Sequence, residues 1–158
     1  MTRTGFSGPR PLGFAIDGWT ADKLLKGAGV GVAPTEIDVP ASPKVKLETR
    51  DLAAASGDVS YTGYGFQPSG LIIIAYTAGE GSGGSIGSSE PALAEHCLCS
   101  VSGTWTVGVS ANIIKFALTD GKGQTAVVKT YDADGFTLTW TKALLPTGTA
   151  NLHVFAFK

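Results

Sequence analysis

Charge is scarce in this chain. Only 16% of its 158 residues are Asp, Glu, Lys or Arg, against the ~25% usual for a soluble domain. The 12 basic and 13 acidic residues leave a net charge of -1 without any basic cluster. The electrostatic footprint that nucleic acid or an anionic membrane would require is therefore missing. Long apolar runs are missing too: the longest, Leu71 to Tyr76 (LIIIAY), falls far short of the ~20 residues needed to span a bilayer. No membrane insertion is expected. The opening stretch MTRTGFSGPRPLGFAIDG has Gly and Pro where a secretory signal would place an unbroken apolar segment, so export by that route is not expected. Cysteine is limited to Cys97 and Cys99, a C-x-C pair on one face of a strand with too little chain between them for a comfortable disulfide. They are expected to be reduced, in a protein made in a cytosol.

What the chain does have is apolar side chains (43%) and glycine (22 residues), with abundant Ser and Thr. Its length fits one ordinary core, and the turn-rich composition suits an all-β protein. Low charge in such a chain implies that part of its surface is covered by something else.

Residues 1–50 carry loop and turn signals and are assigned to an extended N-terminal anchoring arm. Within it TADKLLKG is expected to form one short helix, with Thr20 as N-cap and Gly27 as stop; GAGVGVAPTEIDVPASP is expected to be irregular. Phe6, Leu12, Phe14, Ile16, Trp19, Leu24 and Leu25 are too many apolar groups for a solvated tail and are the expected contacts of the arm with a partner. Residues 51–158 are assigned to a β-sandwich, although strand patterning already starts at Val45.

The strands are expected at Val45 to Thr49, Asp58 to Thr62, Gly70 to Thr77, His96 to Val101, Trp105 to Val109, Ile113 to Leu118, Thr125 to Tyr131, Phe136 to Lys142 and Asn151 to Phe157. Phe136, Leu138 and Trp140 alternate with threonines, as do Leu152, Val154 and Ala156 with their neighbours, giving strands with one dry face. Leu71 to Ile74 shows no alternation and reads as a central strand buried on both sides. TDGKGQ supplies a hairpin turn, Gly79 to Ser89 a flexible Gly/Ser loop, and SEPALAEH a short helical turn. Short strands at this spacing predict an antiparallel sandwich, jelly-roll or lectin-like, not a βαβ fold.

The candidate chemistry is thin. GGSIG (Gly83 to Gly87) fits the G-x-S-x-G pattern of a hydrolase elbow, but no strand runs into it and its surroundings are glycine and serine, so catalytic Ser85 is disfavoured. His96 and His153 sit in expected strands without carboxylate partners. HCLC with His153 lacks the second well-spaced ligand pair of a zinc site, and core packing accounts for both cysteines. GAGVG lacks the Lys and Ser/Thr of a phosphate loop. DADG (Asp132 to Gly135) lacks the distal Glu of a calcium loop and reads as a tight corner launching a strand. No catalytic residue, metal or cofactor is expected.

GDVSYTGYGFQPSGLIIIAY, the later YDADGFTLTW and the terminal TANLHVFAFK together resemble a β-sandwich module of tailed-phage virion proteins, often found at the ends of tail fibres. The resemblance covers residues 57–158. Its scaffold signature is G-F-x-P, then D-G-F-x-L-x-W, matched at Gly65, Phe66, Pro68, Asp134, Gly135, Phe136, Leu138 and Trp140. The chain is similar, more distantly, to the H-type lectin sandwich, which is trimeric and binds sugars. The resemblance implies a non-enzymatic virion structural protein assembled in the host cytoplasm, a homotrimer held to other virion proteins by its arm. Two placements follow: a tail or baseplate appendage touching the host surface, including a surface glycan, or a capsid decoration protein bound to the major capsid protein. A stand-alone glycan-binding lectin is a third reading. It would use exposed aromatics, with Tyr61, Tyr64 and Trp105 as candidates and Gly79 to Ser89 and Ala143 to Thr149 as reading loops.

Overall fold

The computed structural model describes residues 23–26, 35–38, 42–78, 83–101 and 104–158, and it divides into two compact units, residues 1–40 and 41–158. In the first unit, β1 (Lys23–Lys26) pairs antiparallel with β2 (Thr35–Asp38), Leu24 opposite Ile37. The helix expected over TADKLLKG is therefore corrected to a strand where it is described. So is the irregular stretch at Thr35–Asp38. A helix of about two turns is below the length at which helices hold alone in water, whereas pairing across a hairpin satisfies both backbones at once. Phe6, Leu12, Phe14, Ile16 and Trp19 lie outside the described residues.

The second unit is an antiparallel β-sandwich. Its strands are β3 (Lys44–Asp51), β4 (Gly57–Thr62), β5 (Gly70–Ala78), β6 (Gly84–Glu90), β7 (Leu93–Val101), β8 (Thr104–Ser110), β9 (Ile114–Ala117), β10 (Gly123–Asp132), β11 (Gly135–Ala143) and β12 (Thr149–Phe157). They hydrogen-bond in the order β3-β12-β5-β6-β7-β9-β10-β11-β4, with β8 on β7. β3 pairs with β12 along its whole length, so the sandwich starts before residue 51. The boundary assigned at residue 50 falls inside β3.

One core holds the two halves of this path together. β5 and β12 contribute Leu71, Ile73, Leu152 and Val154, and β11 contributes Phe136, Leu138 and Trp140, all 0–1% exposed. The alternation read in β11 and β12 is the cause: every second side chain points inward.

Two segments read as loop or helix are strand. Gly84 to Ser89, inside the expected Gly/Ser loop, forms most of β6, paired to β5 and β7 on its two sides; SEPALAEH is divided between the end of β6, a turn at Pro91-Ala92 and the start of β7. Small residues are needed here because a Cβ on Gly87 would lie 1.8 Å from the carbonyl oxygen of Ile113. A third correction concerns β5. It is central, between β12 and β6, but only alternate residues, Leu71, Ile73, Ala75 and Thr77, are buried, while Ile72, Ile74 and Tyr76 face outward and are 38–45% exposed.

Candidate functional site: a scaffold clamp and an apolar sheet face

The two halves of the sequence signature meet in space. β10 and β11 form a hairpin in which Asp132 pairs with Gly135, leaving Ala133-Asp134 as a two-residue corner. From that tip the Asp134 carboxylate accepts the backbone N–H of Gly65 at 2.5 Å and of Gly63 at 2.9 Å. Its carbonyl accepts the N–H of Tyr64 at 3.3 Å. The bonds from Gly65 and Gly63 hold the Asp134 carboxyl below the usual carboxylate range, as charge-stabilising N–H donors do. Gln67 fastens the same loop by donating to the Tyr131 carbonyl at 2.6 Å. The DADG corner is thus a clamp on the G-F-x-P loop.

Gly135 is required at the corner for two reasons. Its φ of +145° is rarely adopted by side-chain-bearing residues, and a Cβ there would sit 2.0 Å from the Tyr61 carbonyl oxygen. Beside this close backbone approach Tyr61 stacks on Phe136 and Tyr64 packs against it at a tilt, with centroids 5.3 and 5.4 Å away. Pro68 is buried and Phe66 packs on the edge of the core. Both tyrosines are core residues, 5% and 1% exposed, and burial pushes the Tyr61 phenol up to about 12 and the Tyr64 phenol higher still. The expectation that they are exposed sugar-stacking aromatics is overturned. The Trp105 side chain is outside the described residues.

The remaining chemical candidates also have structural settings. Ser85 is fully buried, and its Oγ accepts the Lys115 backbone N–H at 3.0 Å. Cys97 and Cys99 are buried, 4% exposed each. His96 is exposed on β7. His153, half-buried on β12, stacks on Tyr76 with centroids 6.0 Å apart. Among the described residues no group of three or more His, Cys, Asp and Glu is placed to hold a metal ion.

The two outer faces of the sandwich differ sharply. Over β10, β11 and β4 the outer face is polar: Lys129 pairs with Asp58, which also accepts from Thr139, and Thr137 bonds Asp132 and Ser60. Over β3, β12, β5, β6 and β7 it is apolar. The register places Leu47, His153, Ile74, Ile86 and Leu98 in one row across all five strands, and Val45, Phe155, Ile72, Ser88 and His96 in the next. A third row holds Thr49, Asn151, Tyr76 and Gly84. Val45, Leu47, Ile72, Ile74, Tyr76, Ile86, Leu98 and Phe157 are 37–57% exposed. None of the three rows contains Asp, Glu, Lys or Arg.

β3 shows the inversion most clearly. Its sequence KVKLETR alternates charged and uncharged residues, and the charged set lies on the side shared with the buried residues of β12. Arg50 and Glu48 stand opposite buried Ala150 and Leu152. Lys46 donates to the Thr62 carbonyl at 2.6 Å, pairs with Glu48 at 2.8 Å and lies over the Tyr64 ring. Val45 and Leu47 are consequently turned to the outside. Sequence reading missed this face because it took LIII to be buried on both sides; the KVKLETR alternation was the available signal.

A cleft of about 590 Å³ lies at one corner of the apolar face, lined by Leu71, Ile72, Ser88, Glu90, His96 and Phe157 among others. In the expected reading loop Ala143 to Thr149, Leu144 and Leu145 are 63% and 74% exposed. Residues 79–82 of the other expected loop are outside the described residues.

Comparison of the chain with protein-family profiles, with curated proteins and with solved structures finds no match.

Proposed function

We propose that this protein is a non-enzymatic structural component of a tailed-phage virion, a homo-oligomeric β-sandwich, trimeric on the lectin-like precedent, fixed to the particle by its N-terminal segment. In this reading it is a tail or baseplate appendage that contacts the host surface. The virion assignment rests on the resemblance of residues 57–158. The observation that carries an assembly role is the five-strand outer face bearing Leu47, Ile74, Ile86 and Leu98, since monomeric proteins rarely leave so wide an apolar patch to water. The clamp of Asp134 on Gly63 and Gly65 supports a scaffold role for the signature residues. The stand-alone lectin reading loses its two tyrosine candidates to the core.

Copy number in purified particles tests the placement. A few to tens of copies per particle is expected for an appendage; hundreds would replace it with the capsid decoration reading, and absence from particles would end both.

A further inference from the structure

We infer that the outer face of β3, β12, β5, β6 and β7 is the seat of a second copy of this chain. The inference rests on the assembly reading above and names its contact surface.

Size is the first ground. Five strands about 4.8 Å apart, each contributing some six residues at about 3.3 Å, span a flat area of roughly 500 Å². Two copies then bury about 1,000 Å² between them, the level at which a specific protein interface becomes credible.

Charge is the second. In a symmetric homo-oligomer built on one face, charges near the symmetry axis meet their own copies, which is costly unless the face has none. The three rows hold no Asp, Glu, Lys or Arg, whereas the opposite outer face carries the Lys129–Asp58 pair. Of the two surfaces, the apolar one meets this condition.

Edge design is the third. Inward-pointing charges on an edge strand are a device against extension of a sheet by another strand. β3 ends the strand order and turns Lys46, Glu48 and Arg50 inward, so a second copy is directed onto the face. The outward side chains there, Ile72, Ile74, Tyr76, Val45 and Leu47, are β-branched, aromatic or aliphatic, the groups that interdigitate when sheets pack about 10 Å apart.

The test is light-scattering mass on the purified full chain, whose single-chain mass is 16.2 kDa. Wild type is expected at two or three times that mass. Ile74→Lys and Ile86→Lys are expected to return it to the single-chain value while keeping the far-UV spectrum, because both side chains point away from the core. Thr141→Lys, exposed on the other sheet, should leave the oligomer intact. Should the lysine variants fail to fold, Ile74→Thr keeps the β-branched shape and is expected to raise the dissociation constant at least tenfold. A wild-type mass of one chain would overturn the inference and leave the face to a partner of another kind. So would an oligomer that survives all three face substitutions. A chain that oligomerises through this face but is absent from particles sinks the virion proposal alone; a monomer found in particles sinks this inference alone.

Discussion

Replacing Gln124 with Met tests how the two halves of the sandwich are fastened at the edge that carries β3. Gln124 on β10 is 1% exposed. Its Oε1 accepts from Arg50 Nε of β3 at 3.1 Å, and its Nε2 donates to the Leu52 carbonyl at 2.6 Å and the Ala54 carbonyl at 3.3 Å. Arg50, 8% exposed, also donates to the Ala55 carbonyl at 2.7 Å and lies over Trp140, 5.1 Å from its ring. Methionine nearly conserves volume, so the cavity contribution is small. The remaining cost is a charge-assisted bond, about 1.5–3 kcal/mol, plus about 1 kcal/mol for the deprived Leu52 carbonyl. We expect Gln124→Met to cost about 2.5–4 kcal/mol, read from urea unfolding with an unchanged slope, and to lower Tm by roughly 5–15 °C for a domain of this size. Arg50→Met should cost a similar amount. The double variant should cost at least about 1 kcal/mol less than the two singles together, since groups in one network are not additive. A Gln124→Met protein within about 0.5 kcal/mol of wild type, the scale of a neutral surface change, would refute the reasoning. Strict additivity would refute it as well.

Three other substitutions probe the clamp and one partly buried carboxylate. Gly135→Ala forces a Cβ to 2.0 Å from the Tyr61 carbonyl oxygen at φ +145°; a loss of about 3 kcal/mol or more is expected by thermal melting, with Ala133→Gly at the exposed corner as a mild control. Asp134 has a depressed folded pKa against an ordinary value of 3.8. Its contribution is therefore present above 3.8 and lost as pH falls through the folded value, and Asp134→Asn should flatten the acid limb of Tm against pH. Glu95 has the opposite sign. Burial raises its carboxyl above 4.5, partly offset by the Val128 N–H that it accepts at 2.6 Å, so this contribution is full below 4.5 and lost as pH rises through the folded value. Glu95→Gln should accordingly raise Tm at pH 7 and leave it unchanged at pH 4.

The legibility of this protein in its sequence was uneven, and the unevenness has physical causes. Phe136, Leu138 and Trp140 advertised their strand because the inward side chains are large and the outward ones are threonines. β6 was hidden because its inward positions, Ser85, Gly87 and Ser89, are as small and polar as loop residues. They fit only because Ile113 and Tyr131 crowd against them, and no local pattern encodes that neighbour. The short hairpin β1–β2 was hidden for a related reason: four residues carry too little periodicity to distinguish helix from strand.

The sequence alone determined an all-β chain, its nine longer or better-patterned strands, the corner at Asp132 to Gly135 and the poverty of charge. All of these follow from side-chain period and turn chemistry, which are local. The tertiary structure decided that Asp134 grips Gly63 and Gly65, that Tyr61 and Tyr64 lie inside, and that Ile72, Ile74 and Leu47 lie outside. Those outcomes depend on strand order and register, which set the side of the sheet on which each alternating residue falls; a run such as LIII is compatible with either side until its neighbours in space are known.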